Sequence, residues 1–182
     1  MTLGKDVQGL IVKREYELTR VIDSNELDIA EIRKLFLEYA ESLPHSLCFQ
    51  NFNEELATLP GKYRVPDGCL IMAKQNGCVA GCVGLRPIGD QTCEMKRLYV
   101  RPEFHGCGIG RGLVEEVIKV AKDIGYERMR LDTMPSMVNA IALYRKFGFV
   151  EIEPYCENPV EGALFMELSL LSPARTKGRE KA

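Results

Sequence analysis

The sequence predicts a single α/β domain, a mixed central β-sheet flanked by helices on both faces. Three observations carry that expectation. Short apolar runs follow one another between Cys69 and Val100 with polar turns between them, as in a three-strand meander. Two later stretches, Ile109 to Ile124 and Met137 to Phe147, instead repeat apolar residues at helical spacing, and each lies between strand-like runs. A strand, helix, parallel strand sequence of this kind builds a mixed sheet with covered faces. The 182 residues fit one domain with a substantial core. That domain is expected to span residues 1–171, with a polar, charged and disordered tail over 172–182.

The elements follow in order. Met1 to Glu15 carries Gly4 and Gly9 and reads as a loose lead-in. Tyr16 to Ile22 alternates as a first strand. Asp23-Ser24-Asn25 is capping material for a helix with Leu27, Ile29, Ile32, Leu35, Phe36 and Tyr39 on its stripe, running to about Ser42. Pro44 stops it. His45 to Arg64 holds Phe49 and Phe52 and a short helical piece, Asn53 to Thr58, closed by Leu59-Pro60-Gly61. Cys69 to Lys74 and Val79 to Leu85 read as strands joined at Asn76-Gly77, a hairpin signal. Arg86-Pro87 is expected to end the second strand, and Gly89-Asp90 turns into a central strand, Glu94 to Val100, that stops at Arg101-Pro102. Gly125 caps the long helix at Ile124. Met129 to Thr133 is a strand, Gly148 caps the helix ending at Phe147, and Val150 to Glu153 and Ala163 to Leu170 close the sheet around the loop Pro154 to Gly162.

Composition narrows the function classes. A net charge of −2 and a pI of about 5.8 offer no basic field for nucleic acid. No run approaches the length of a membrane span and the N-terminus has no signal-peptide pattern, so a cytoplasmic protein with no membrane partner is expected. Seven cysteines without a C-x-x-C pair, and two histidines, argue against a disulfide framework and against a metal. Cys69, Cys78, Cys82 and Cys93 lie in apolar runs and are expected as buried thiols.

The chemistry centres on His105-Gly106-Cys107-Gly108-Ile109-Gly110-Arg111, between the central strand and the long helix. Glycines let a backbone approach a phosphate, and converging N–H groups with a helix N-terminus favour an anion. A P-loop needs Gly-Lys-Ser/Thr, but Arg111-Gly112 follows Gly110. A dinucleotide turn needs G-x-G-x-x-G, and the third glycine would fall at Arg111 or Leu113. The remaining reading is a coenzyme A pyrophosphate site. Here the stretch resembles the Gln/Arg-x-x-Gly-x-Gly/Ala loop of the GNAT N-acetyltransferase superfamily, with His105 in place of the usual first residue. A second match is Asn139 to Phe149, NAIALYRKFGF, similar to the family's Asn-x-x-Ala-x-x-Leu-Tyr-x-x-Gly-Phe with a shorter gap before Leu-Tyr and one residue more before Gly-Phe. The resemblance covers roughly residues 92–170.

What the resemblance implies is acetyl transfer from acetyl-CoA to an amine, with the central strands splayed around the thioester. The backbone of His105, Gly106, Cys107, Gly108, Ile109, Gly110 and Arg111 would hold the pyrophosphate, and Arg145 a phosphate. Leu98, Tyr99, Val100 and Asn139 would pair with pantetheine, an N–H near Tyr99 or Val100 facing the oxyanion. Glu94 takes the place of the family's glutamate base and Tyr144 that of the tyrosine that protonates the departing sulfur. Phe49, Gln50, Asn51 and Tyr63 fall in the segment where such proteins build acceptor pockets. Lys96 and Arg97, on opposite faces if the strand is regular, include at least one group expected to reach the cleft, with Asp132 as a partner. Tyr155 and Asn158 are assigned to the acceptor side. The expected acceptor is a small-molecule or amino-acid-like amine, and a homodimer is common in the family. The rival readings are a non-catalytic acetyl-CoA sensor, which would lack the base and the acid, and an acetyltransferase acting on protein N-termini or lysines.

Overall fold

The computed structural model describes residues 15–21, 25–44 and 51–171. Its elements are β1 (Tyr16–Arg20), α1 (Glu26–Glu41), α2 (Phe52–Thr58), β2 (Cys69–Gln75), β3 (Cys78–Gly89), β4 (Thr92–Val100), α3 (Ile109–Ile124), β5 (Arg128–Thr133), α4 (Val138–Lys146), β6 (Val150–Ile152) and β7 (Leu164–Ser169). They form one seven-stranded sheet in the order β1-β2-β3-β4-β5-β7-β6. Every neighbouring pair is antiparallel except β4 with β5, the pair that α3 joins as a crossover. Ile22, Phe49, Gln50, the lead-in before Glu15 and the tail from Ser172 lie outside the described residues.

Helices cover both faces, and alternation along the strands decides which residues meet them. Ile71 and Ala73 of β2, Val83 and Leu85 of β3, and Cys93 and Met95 of β4 point to the α3 side, against Ile109, Leu113, Val117 and Ala121. Leu70 and Met72 of β2 and Cys82 of β3 point the other way, against Ile29, Ile32, Leu35 and Phe36 of α1 and against Phe52 and Tyr63. A strand buried on both faces carries a continuous apolar run, which is why Cys69–Ala73 has no polar member. Gly125 ends α3 in a left-handed conformation (φ 103°), as its place after the apolar stripe predicts.

Two expectations differ from the structure. β3 continues through Arg86-Pro87 to Gly89. Its pairing with β2 ends at Leu85, so beyond that point it has a neighbour on one side only, β4, and an edge strand accommodates proline. Cys78 is exposed because it borders the Asn76-Gly77 turn.

The central strand is not regular. Cys82 faces Tyr99 and Gly84 faces Lys96, so two residues of β4, Arg97 and Leu98, oppose the single Val83 of β3. This is a β-bulge, and Arg97 sits in it with φ 57°, a left-handed value that a side chain disfavours. The extra residue changes the alternation. Lys96 and Arg97, which a regular strand would set on opposite faces, both point away from α3, and Leu98 then returns to the α3 side. Arg97 is held by a bidentate pair to Glu55 of α2 (Nε to Oε1 3.0 Å, Nη2 to Oε2 2.7 Å) and lies over the ring of Phe52 at 5.1 Å. Glu55 Oε1 also accepts from the Tyr63 hydroxyl at 2.7 Å. Burial alone would raise the Glu55 pKa, but the hydrogen bonds and charge of Arg97, with the Tyr63 hydroxyl, hold it below the usual carboxylate range.

Two outcomes follow for stability. A Cβ added at Gly84 would stand 2.6 Å from Cε1 of the buried Tyr63 ring, so Gly84→Ala is expected to destabilise by about 1–3 kcal/mol in urea titrations. Glu55→Gln leaves Arg97 buried without its counter-charge and is expected to lose about 3 kcal/mol at neutral pH. A carboxyl whose folded pKa is depressed contributes stability above its unfolded value and loses it as pH falls through the folded one. Melting temperature against pH in the parent should therefore fall below about pH 4, and the variant should show a shallower acid limb.

Candidate active site

β4 and β5 pair only from Thr92 to Glu94 with Arg128 to Arg130. Past that point the bulge carries β4 away, and the β5-facing edge of Leu98, Tyr99 and Val100 has no strand partner. A gap of about 40 Å³ opens there, between Met95 to Leu98 on one wall and Leu131 to Met134 on the other, with Tyr144 at its edge. Backbone amides along such an edge suit a ligand that itself carries amides, or an oxyanion.

At the end of β4 the chain enters the glycine loop. Arg101 anchors its start, with Nε and Nη2 on Glu38 of α1 at 2.8 and 2.7 Å and Nη1 on the Val79 carbonyl at 2.7 Å. His105 Nε2–H donates to the Val100 carbonyl at 2.8 Å, so this ring fixes the turn through its own backbone contact. Gly106 (φ 83°) and Gly108 (φ 78°) both take left-handed conformations. The first bond of α3 runs from Gly112 N–H to the Gly108 carbonyl at 3.0 Å, which leaves the N–H groups of Ile109, Gly110 and Arg111 without helical acceptors. Cys107 is exposed beside them. This is an end built to receive an anion. The loop is also tied to the far edge of the sheet. The Tyr16 hydroxyl donates to the Gly108 carbonyl at 3.2 Å, and its ring packs on Gly112 so closely that a Cβ there would overlap it.

A charged layer lies on the opposite side of the sheet from α3. Glu94 is 1% exposed. Its Oε2 accepts from Arg86 Nε at 2.7 Å, with Nη2 2.6 Å away in the same ion pair, and its Oε1 accepts from the Tyr155 hydroxyl at 2.8 Å, with Lys96 Nζ 3.8 Å away. Lys96, also buried, donates to Asp132 Oδ1 at 2.8 Å, and Asn158 donates to the other oxygen at 3.0 Å. Burial would raise the Asp132 pKa, but the Lys96 charge and hydrogen bond hold it lower. Burial and the neighbouring Glu94 charge push the Tyr155 hydroxyl far above its ordinary value, so it stays a donor. Glu94, Lys96, Arg86, Ile88, Arg130 and Tyr155 line a cleft of about 280 Å³.

Tyr144 is 6% exposed, and its ring packs against Phe149 at 5.7 Å. Its hydroxyl makes no hydrogen bond among the described residues. A buried hydroxyl left so costs about 1–3 kcal/mol, a cost seldom kept without a use. Burial, with the charge of Asp132 among its neighbours, pushes its pKa well above the ordinary value, so it holds its proton.

The remaining candidates are distributed as follows. Asn51, in a left-handed conformation (φ 53°) at the start of α2, and Tyr63 line a second cleft of about 270 Å³, which Arg86 also borders. Tyr63 itself is 2% exposed and bonded to Glu55. Asn139 and Arg145 are exposed on α4. Sequence reasoning missed Glu55, Arg130 and Tyr16. Arg130 alternates with Met129 and Leu131, a period-two pattern that already sets it on the charged face. Glu55 and Tyr16 carry no such signal.

Comparison with known proteins agrees with this geometry. The family model for the acetyltransferase (GNAT) family matches residues 29–149. An uncharacterised N-acetyltransferase of Schizosaccharomyces pombe is 40% identical over 145 residues, covering 79% of this chain and 89% of that protein. One from Dictyostelium discoideum is 33% identical, covering 84% and 99%. An acetyltransferase of Salmonella typhimurium, solved with its cofactor acetyl-CoA, superposes with a TM-score of 0.69 at 19% identity, covering 88% of this chain and 96% of that one. The family match and these relatives show that the chain belongs to the GNAT family as an acetyl-CoA-dependent acetyltransferase.

Proposed function

We propose that the protein transfers acetyl from acetyl-CoA to the primary amine of a small-molecule or amino-acid-like acceptor, directly, with both substrates bound at once. The observation that carries this reading is that Lys96 borders both the gap holding Tyr144 and the cleft holding Glu94. A thioester in the first and an amine in the second would lie on either side of Lys96, the residue that both linings share. A cleft of about 280 Å³ suits a small molecule.

Acetyl-CoA supplies an activated acetyl group, and the chain supplies the rest. The N–H groups of Ile109 to Arg111 hold the pyrophosphate. The unpaired edge of Leu98 to Val100 holds the pantetheine amides and turns an N–H toward the carbonyl oxygen as charge builds there. Glu94, through a water because its two oxygens are already bonded to Arg86 and Tyr155, takes the proton that the ammonium must lose before its nitrogen can attack. Tyr144, whose hydroxyl makes no hydrogen bond among the described residues, gives its proton to the sulfur as the carbon–sulfur bond breaks.

Thiol release measured against a panel of amines tests this. Glu94→Gln is expected to lower kcat/KM by about a hundredfold or more, and Tyr144→Phe to lower kcat by about tenfold or more while the Kd for acetyl-CoA, from calorimetry, stays unchanged. Full activity in both variants would overturn the assigned roles, and tight acetyl-CoA binding without turnover of any amine would favour a sensor.

A further inference from the structure

One row of side chains crosses the sheet with alternating charge. The register sets Arg86 of β3 opposite Glu94 of β4, Glu94 opposite Arg130 of β5, and Arg130 opposite Glu167 of β7. Neighbours in such a row stand roughly 4.7–4.9 Å apart, so the two arginines flank Glu94 closely. Neither arginine is used up by its partner. Arg86 spends Nε and Nη2 on one oxygen of Glu94, and Arg130 spends Nε alone on Glu167 Oε2 at 2.7 Å. Nη1 of Arg86 and both Nη atoms of Arg130 make no hydrogen bond among the described residues. The two side chains remain 22% and 30% accessible, and both open on the cleft that holds Glu94. Arg130 is fixed there, its guanidinium 5.3 Å over the ring of Tyr155.

Planar guanidinium edges with free donors, held still at a half-buried wall, match a carboxylate. Glu94 cannot fill that place, because its oxygens are already committed, and Glu157 stands exposed at the rim, where solvent screens it. We infer that the acceptor carries a carboxylate, bound by the free edges of Arg86 and Arg130, with its amine turned toward Lys96 and the gap beyond. The acceptor class is then an amino acid or another small amine bearing a carboxylate. This rests on the transfer reading above.

The test uses the full chain and matched acceptor pairs that differ only in the carboxylate: phenylalanine with 2-phenylethylamine, and lysine with cadaverine. With saturating acetyl-CoA, the acid of at least one pair is expected to show a kcat/KM about tenfold higher than its amine. Arg130→Gln is expected to erase most of that preference, raising KM for the acid about tenfold and KM for the matched amine far less. Calorimetry of the acids on CoA-saturated protein reads the same contact without transfer, and binding should weaken by a similar factor in the variant. Equal or better turnover of the decarboxylated amines, or an Arg130→Gln variant that slows both members alike, overturns the inference and leaves the transfer reading standing. Acid binding that depends on Arg130 without turnover of any amine does the reverse. Loss of both sinks both.

Discussion

The ion pair between Arg97 and Glu55 holds β4 in a shape the strand would not otherwise keep. A non-glycine residue at φ 57° costs of order 1–3 kcal/mol, and here the bidentate contact and the Phe52 and Tyr39 rings around the guanidinium offset it. From that bend the rest of the site follows. The strand leaves β5 after three paired residues, and a gap opens between them. Lys96 and Arg97 fall on one face, so the charged layer gathers on the side away from α3. Because Glu55 belongs to α2, the helix that borders the second cleft is fastened to the same bend.

The sheet's two faces therefore do different work. The α3 side is mainly apolar and supplies stability by burial. The other side is divided. Under α1 it is apolar as well, but from β3 to β7 it carries Arg86, Glu94, Lys96, Arg130, Asp132 and Glu167, each with an opposite charge within 4 Å. Buried charges are tolerated only when paired, and pairing of this kind adds little stability over an apolar core. Its presence along one half of one face places it beside the cleft that Glu94 lines.

Much of this was legible in the chain. Apolar periodicity set the order of all eleven elements, the P-loop and dinucleotide spacings failed at Gly106 to Arg111, and the resemblance to the GNAT loop is what implied coenzyme A there. Tyr144 stood out through its place before Gly148-Phe149. What was not legible depends on contacts distant in sequence. Arg97 gives no sign that it will adopt a left-handed conformation, because arginine has no preference for it, and so the irregularity that sets its face was not legible. Its partner Glu55 lies 42 residues away, and Glu167 lies 37 from Arg130. Pro87 stops a strand only if the strand has neighbours on both sides, which no local pattern reveals.

The contact of Tyr16 with Gly108 and Gly112 makes the first strand a structural member of the glycine loop, although 92 residues separate Tyr16 from Gly108. The missing side chain at Gly112 and the phenol at Tyr16 are two halves of one fit. In any exchange of segments between this chain and its relatives, those two positions must travel together. A splice that kept the whole glycine loop but replaced β1 would bring in a loop whose supporting wall had been left behind.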